Sequence, residues 1–261
     1  MSIRLLFIGD IVGPAAGAWL VERLPELRAT WSPDLIVANA ENIAFGVART
    51  NGPGLFGMTT ELIEPLLDAG VDVITSGNHA WDTDECDTLK IHAHPHVLRP
   101  VNMPNGVPGK GSVTIEVAGE PVTIVNLATQ DAVATALPPR EVWMELDLPG
   151  TVIVDLHAES MIQKHVIANG LDGEVAAVLG THTHEASLFT PILDGGTGFV
   201  PEVGMTGHSG GAQGMPGEIF RALWNGAGWN GLTTLAPGPL VLGAVVVDIE
   251  AGRTTAIQRI H

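Results

Sequence analysis

The chain has 261 residues, of which 45% are hydrophobic, and its formal net charge is −17. This length suits one large domain or two small ones, and because no linker-like stretch divides it we expect a single domain over residues 1–261. The acidic charge disfavours broad binding to duplex nucleic acid or to an anionic membrane, although a local metal charge can outweigh it for a small phosphate substrate.

Cysteine content and apolar runs predict a cytoplasmic location. Cys86 is the only cysteine, so no disulfide can form within the chain, which fits a reducing compartment. The apolar run over residues 3–8 is too short for a signal peptide, and the longest late run, PLVLGAVVVDI, is about half a membrane span.

The first half of the chain alternates apolar strands with amphipathic helices. The pattern predicts strands over 3–9, 34–42 and 72–82, helices over 15–30, 59–70 and 82–93, and a glycine-rich loop over 43–57. Such alternation predicts an α/β fold.

The second half is richer in hairpins. Residues 112–129 predict two strands joined at Gly119-Glu120, and residues 240–260 predict a final pair joined at Ala251-Gly252. Further strands are predicted over 151–159, 174–185 and 198–204, with a helix after the first of them that ends near Asn169.

Polar side chains follow five of these strands. They are Asp10, Glu41, Asn42, Asn78, His79, His157, His182 and His184. Sites in open α/β sheets gather at the carboxyl ends of strands, and these oxygen and nitrogen donors suit borderline metals such as iron, manganese or zinc. Eight groups exceed the needs of one tetrahedral ion and suit two ions about 3.5–4 Å apart.

Each motif alone has an ordinary alternative. The GTHTHE segment could be a solvated strand end, and GNH could be a turn or a helix cap. A dinucleotide-binding turn at FIGDIVGP is excluded, because it lacks the G-x-G-x-x-G pattern and Asp10 would repel a pyrophosphate. Asp10 is instead expected to hold a metal, which in turn holds a phosphate.

The order of the motifs GD, AEN, GNH, a lone His and GTHTH resembles the calcineurin-like metallophosphoesterase superfamily. More narrowly, the chain resembles the YmdB-like branch, bacterial proteins related to cyclic-nucleotide phosphodiesterases. The matching segments span residues 5–211 and are LLFIGDIVG, LIVANAENIAFG, DVITSGNHAWD, LRPVN, VDLHAES, LGTHTHE and EVGMTGHSGG. The resemblance implies a four-layer α/β/β/α sandwich of two mixed sheets with a dinuclear metal site at one edge.

The resemblance also implies a role for each residue. The first metal would be held by Asp10, Asn42 and His184, the second by Asn78, His157 and His182, and Glu41 would bridge them. Val12 stands where most of the superfamily has a histidine, and Asn42 would supply the missing ligand. The metals would be iron or manganese, with zinc also admitted by the donors.

The implied reaction is hydrolysis of a phosphodiester in a small nucleotide, 2′,3′- or 3′,5′-cyclic. A metal-bridging hydroxide would attack phosphorus, and protonated His79, which would not be a ligand, would be the general acid. A phosphomonoesterase and a metal-bound regulator without catalysis remain as alternatives. None of the 12 Lys and Arg residues lies within two positions of a predicted ligand, which favours diesters over more highly charged monoesters.

Substrate contacts and assembly are less defined by the sequence. His208, in the glycine-rich segment 204–211, could approach substrate or occupy an ordinary turn. Arg99 could pair with a phosphate or with one of the many carboxylates, and we favour the structural role. Trp224 and Trp229 could mark the interface of a homo-oligomer or belong to the core.

Overall fold

The computed structural model describes residues 2–47, 56–228 and 234–260. In the first half, the elements are β1 (Ser2–Ile8), α1 (Pro14–Trp31), β2 (Leu35–Asn39), α2 (Thr60–Asp68), β3 (Val73–Thr75), α3 (Glu85–Ala93), β4 (Ser112–Val117) and β5 (Glu120–Ala128). They continue with α4 (Pro139–Trp143), β6 (Thr151–His157), α5 (Met161–Gly170), β7 (Ala177–Thr181), β8 (Gly198–Val200), β9 (Gly207–His208), β10 (Gly211–Ala212), β11 (Met215–Pro216), α6 (Gly217–Trp224), β12 (Leu240–Val241), β13 (Ala244–Glu250) and β14 (Arg253–Ile260).

Two five-stranded mixed sheets form the centre of the fold. The first has the order β14-β13-β1-β2-β3, in which β1, β2 and β3 are parallel and β13 returns antiparallel to β1. The second has the order β4-β5-β6-β7-β8, with β5 to β8 parallel and β4 antiparallel at the edge. Two short pairs, β9 with β12 and β10 with β11, lie outside these sheets.

The sheets pack face to face and carry helices on their outer faces. Along β1, Leu5 and Phe7 face the core between the sheets, while Leu6 and Ile8 face α1 and α2. Burial on both faces explains why β1 is almost continuously apolar. A third cluster joins the outer face of the second sheet to α4 and α5. The predicted four-layer sandwich is confirmed.

Most predicted elements are present, with adjusted bounds. The first hairpin turns at Ala118-Gly119 rather than Gly119-Glu120, because both residues adopt positive φ (51° and 81°), as a two-residue turn requires. The third helix begins at Glu85 because the Asp84 side chain caps it, accepting from the Asp87 N–H at 3.0 Å. The short helices α4 and α6 were not predicted.

Two other expectations concern the surface. Trp224 is 90% exposed and is therefore not a core residue, whereas Trp229 lies outside the described residues. No helix within the described ranges has both the length and the apolar character needed to cross a bilayer.

Candidate active site

The carboxyl ends of β1, β2, β3, β6 and β7 meet at one edge of the sandwich. Each end carries at least one predicted site residue, and the structure brings together residues that are distant along the chain. They are Asp10, Glu41, Asn42, Asn78, His79, His157, His182 and His184. Burial removes most of this cluster from water, since Asp10, Glu41 and His157 are 0% exposed.

One half of the cluster is centred on Asp10. Its Oδ2 accepts from the His182 N–H at 3.2 Å, and its Oδ1 lies 3.6 Å from His184 Nε2. Oδ1 is buried and has no hydrogen-bond partner among the described residues. Asn42 Nδ2 lies 3.3 Å from the same His184 nitrogen, and rotation of this amide would present its oxygen instead. An unpartnered buried carboxylate oxygen beside an imidazole and an amide fits a cation.

The other half surrounds Glu41. Glu41 Oε1 lies 3.4 Å from His157 Nε2, and Asn78 Oδ1 lies 2.9 Å from the same nitrogen. Ligand atoms of Glu41, His157 and His182 all lie within 4.8 Å of one another. Glu41 also contacts the first half, since its Oε1 accepts from Asn42 at 3.1 Å. Its position between the two halves suits a shared carboxylate.

The hydrogen bonds of His157 leave one ring nitrogen bare. The Thr181 hydroxyl donates its proton to Asp155 at 2.7 Å, so the same oxygen accepts from His157 Nδ1 at 3.0 Å. In this tautomer Nε2 carries no proton and faces the oxygens of Asn78 and Glu41 at 2.9 and 3.4 Å. Three acceptors converging on one point are the arrangement that a metal ion satisfies.

Burial and the close contacts within the cluster shift the pKa values of several of its members. Burial lowers the pKa of His157 well below its usual value, which keeps the ring neutral as ligation requires. Burial raises the pKa of Glu41 to about 7. Burial alone would raise the pKa of Asp10, but the nearby His184 holds that pKa below its usual value. Burial alone would lower the pKa of His184, but the nearby Asp10 carboxylate opposes this effect, and the pKa is raised to about 9.

His79 differs from the other histidines in its surroundings. Its main-chain N–H donates to Glu41 Oε2 at 3.1 Å, and its side-chain Nδ1 pairs with Asp82 Oδ2 at 2.6 Å. Its ring stacks on Phe56 with centroids 4.3 Å apart. Burial opposes its protonation, but the Asp82 hydrogen bond helps to leave the His79 pKa above its usual value. A protonated imidazole beside the cluster is suited to proton donation.

Local backbone features make room for these side chains. A Cβ on Gly77 would overlap the His157 ring, so only glycine fits before Asn78. His182 and His184 both have positive φ, 96° and 64°, which is an uncommon and strained conformation for residues other than glycine.

A buried ion pair holds the loop that carries these two histidines. Lys164 Nζ lies 2.5 Å from Glu202 Oε2, and both side chains are 0% exposed. The same carboxylate oxygen accepts from the Thr183 N–H at 3.2 Å and from the Thr183 hydroxyl at 2.6 Å. Thr183 lies between the two histidines, so Glu202 fixes the segment from which both side chains project.

A cavity of about 300 Å³ opens over the cluster, and we call it the site cavity. Its lining residues are Val12, Glu41, Asn42, Phe45, Phe56, His79, His182, His184, Gln213 and Met215. Among these described residues there is no lysine or arginine. The described lining of this cavity therefore combines a polar floor with an apolar wall and holds no lysine or arginine.

The two predicted substrate residues lie elsewhere. Arg99 donates to the main-chain carbonyls of Pro100 and Val101 at 2.7 and 3.1 Å. His208 Nδ1 lies 2.7 Å from the carbonyl of Gly238. Neither is among the described residues that line the site cavity. These contacts favour the structural alternative for both residues.

Sequence reasoning missed several residues of the site. Asp82 was readable as a carboxylate three positions after His79, whereas Glu159, whose Oε2 lies 3.0 Å from His182 Nε2, had no distinguishing signal beyond its place in VDLHAES. Phe56 and Gln213 reach the cavity from segments with no readable motif.

Comparison with known proteins gives consistent matches over nearly the whole chain. A family model described as YmdB-like protein matches residues 6–260. A protein of Bacillus subtilis (strain 168) named 2′,3′-cyclic-nucleotide 2′-phosphodiesterase is 32% identical over 265 residues, which cover 98% of this chain and 95% of that protein.

Solved structures give the same result. A hypothetical protein from Thermus thermophilus superposes with a TM-score of 0.85 at 32% identity, covering 99% of this chain and 98% of that one. A structure from Mycoplasma pneumoniae described as a novel phosphatase has a TM-score of 0.87 at 26% identity, covering 100% and 93%.

Proposed function

The chain belongs to the YmdB-like family of calcineurin-like metallophosphoesterases, and from this premise we propose that it is a metal-dependent phosphodiesterase of small nucleotides. Cyclic nucleotides are the expected substrates, the 2′,3′-cyclic isomers first, since the Bacillus subtilis relative is named for them. The observation that carries the proposal is the cluster beneath a cavity of about 300 Å³, in which buried Asp10 Oδ1 has no hydrogen-bond partner among the described residues and Glu41, Asn78 and His157 converge.

Two groups of residues would hold two metal ions. Asp10, Asn42 and His184 would bind one, Asn78, His157 and His182 would bind the other, and Glu41 would be shared between them. Iron and manganese are the expected metals, and zinc is compatible with the same donors. When bound, such ions supply Lewis acidity that activates water and neutralises charge on the phosphoryl oxygens.

His79 would be the general acid of the reaction. Asp82 holds Nδ1 at 2.6 Å and Phe56 stacks against the ring face, so the orientation of the imidazole is fixed from two sides. Protonated His79 would give its proton to the leaving alkoxide, which is otherwise a poor leaving group. The apolar wall formed by Phe45, Phe56 and Met215 would contact the nucleoside.

The charge of the cavity favours diesters over monoesters. A monoester dianion carries one more negative charge than a diester, and among the described residues of the site cavity no lysine or arginine offsets it. Phosphomonoester hydrolysis is therefore the second candidate, with lower expected efficiency.

One plate of assays tests the proposal. The purified protein is incubated with Mn²⁺, Fe²⁺ or chelator and offered bis-p-nitrophenyl phosphate, p-nitrophenyl phosphate, and 2′,3′- and 3′,5′-cyclic AMP. We expect metal-dependent cleavage of the diester well above the monoester. The reverse preference would indicate a phosphomonoesterase, and a metal-loaded protein without turnover would indicate the non-catalytic regulator.

A further inference from the structure

A second cavity adjoins the site cavity. Its volume is about 530 Å³, and His184 and Gln213 line both cavities. Gln213 lies in the turn between β10 and β11 with a φ of 52°, and its carbonyl accepts from His184 Nδ1 at 3.2 Å. The tip of this hairpin and His184 therefore lie where the two cavities meet.

The adjoining cavity differs from the site cavity in its charge. Arg23 and Arg259 both line it, with Glu185 as its one acidic lining residue among the described residues, although the whole chain has only 12 lysines and arginines and a net charge of −17. Arg259 donates to the carbonyls of Val203 and Glu202 at 2.5 and 2.9 Å, which holds its guanidinium in place. The proposed reaction uses neither arginine.

Arg23 forms one wall of this cavity together with Trp19. Its guanidinium carbon lies 5.3 Å from the Trp19 ring centroid, and its Nε lies 3.3 Å from exposed Glu26. Guanidinium planes and aromatic faces both stack on nucleobases, and guanidinium is a preferred partner of phosphate. The wall thus offers the two contacts that a nucleotide makes, one to its base and one to its phosphate.

We propose that the adjoining cavity is a second nucleotide subsite, so that the enzyme takes linear dinucleotides with a terminal phosphate as well as cyclic mononucleotides. The inference rests on the proposed function, because the scissile diester must lie over Asp10 and Glu41. One nucleoside would lie in the site cavity, and the other would pass Gln213 and bring its terminal phosphate to Arg23.

The reaction on such a substrate is a simple hydrolysis. With 5′-phosphoadenylyl-(3′→5′)-adenosine, the oxygen of one water molecule bonds to the internal phosphorus and the P–O3′ bond breaks. The leaving O3′ takes a proton, and two molecules of AMP are formed. No oxidant, reductant or further co-reactant is needed.

The test compares three substrates in matched variants. We would measure kcat/KM for this phosphorylated dinucleotide, for adenylyl-(3′→5′)-adenosine without the terminal phosphate, and for 2′,3′-cyclic AMP. Arg23→Met should lower the value for the phosphorylated dinucleotide about 10-fold or more relative to the cyclic substrate, as expected for loss of a charged hydrogen bond. The kcat/KM value for the dinucleotide without the terminal phosphate should fall less, because that substrate has no phosphate to contact Arg23.

Two further variants complete the design. Trp19→Leu should lower kcat/KM for both dinucleotides relative to kcat/KM for 2′,3′-cyclic AMP, because both dinucleotides would contact the wall formed by Trp19 and Arg23. Arg140→Met serves as the control, since Arg140 is exposed on α4 against the second sheet, and it should change none of the three values. Circular dichroism and the melting temperature check that each variant is folded.

Each outcome decides between the two proposals. The subsite is refuted, and the proposed function stands, if the wild-type protein cleaves 2′,3′-cyclic AMP but not the phosphorylated dinucleotide. The same holds if Arg23→Met lowers kcat/KM for all three substrates by the same factor. If the wild-type protein cleaves none of them, the proposed function fails. Calorimetric titration of the phosphorylated dinucleotide then still decides, because equal affinity for wild type and Arg23→Met, or no binding, refutes the subsite.

Discussion

The buried pair of Lys164 and Glu202 gives the most quantitative prediction. Replacing Lys164 by Met keeps most of the apolar stem but removes the ammonium that lies 2.5 Å from Glu202 Oε2. The same ammonium donates to the carbonyl of Thr181 at 3.0 Å, so that acceptor loses this partner too. Glu202 keeps its donors on Thr183, yet its buried carboxylate loses the ammonium with which it is directly paired.

The magnitude follows from the burial of both partners. Since both side chains are 0% exposed, water cannot replace the missing ammonium. Removing one member of a buried ion pair typically costs about 3–5 kcal/mol, and we expect Lys164→Met to lower the free energy of unfolding by that amount at pH 7.5. Urea unfolding of the metal-free protein, followed by circular dichroism, measures it.

The pH dependence identifies the cause. Burial raises the pKa of Glu202 above its ordinary value, and loss of Lys164 removes a contribution that opposes this rise. The folded variant then binds more protons than the unfolded chain, so its stability falls as pH increases between the unfolded and folded pKa values. The deficit relative to wild type should be smaller at pH 5 than at pH 7.5.

Two controls complete this experiment. Lys90→Met, at an exposed position of α3, should change the free energy of unfolding by less than about 0.5 kcal/mol. The double variant Lys164→Met/Glu202→Gln removes both charges and should recover much of the free energy of unfolding that Lys164→Met loses. A deficit for Lys164→Met below about 1 kcal/mol, or one that does not vary with pH, would refute the reasoning.

Four further predictions concern the site itself. His79→Ala should lower kcat at least about 100-fold, while the metal content measured by mass spectrometry stays unchanged. Loss of metal would instead show that His79 is a ligand. His94→Ala, at a position outside the described cavity lining, is the control and should keep the wild-type kcat. Asp82→Asn should move the alkaline limb of the pH–rate profile to lower pH, because it removes a hydrogen bond that raises the His79 pKa; an unmoved limb contradicts that pairing. Gly77→Ala should weaken metal affinity about 10–100-fold in calorimetric titration, because the added Cβ would displace the ring of His157. If the variant bound metal with the affinity of the wild type, the His157 ring would be able to move without loss of binding. Asp10→Asn should deplete bound metal, and full occupancy of two ions would exclude the proposed ligand set.

Much of the fold could be predicted because local sequence and tertiary environment agree. The apolar run of β1 is continuous since both faces are buried, and its two alternating sets of side chains reach different cores. The last hairpin was predicted at Ala251-Gly252, and both of these residues adopt the positive φ that such a turn requires. The helices α4 and α6 escaped prediction because five and eight residues give too few periods for a recognisable pattern.

The candidate site also contains residues that the sequence predicted and residues that it did not. Asp10, Glu41 and the histidines were readable because each lies at or shortly after the carboxyl end of a strand, and parallel strands of an α/β fold deliver such residues to a common edge. Other buried partners, among them Glu202 and Thr181, depend on contacts across 38 and 26 residues of chain. No periodicity encodes such contacts, since a side chain's partner is fixed by packing rather than by its neighbours in sequence.

The sequence by itself therefore determined the α/β alternation, the edge at which the site lies and the types of donor gathered there, whereas the four layers were implied by the family resemblance. Only the tertiary structure decided which acceptors remain unpaired, where His79 points and which cavity contains the arginines. The physical reason is that backbone periodicity and burial are local properties, which composition and spacing record. Hydrogen-bond direction, desolvation and the shape of a cavity arise only when distant segments exclude water together.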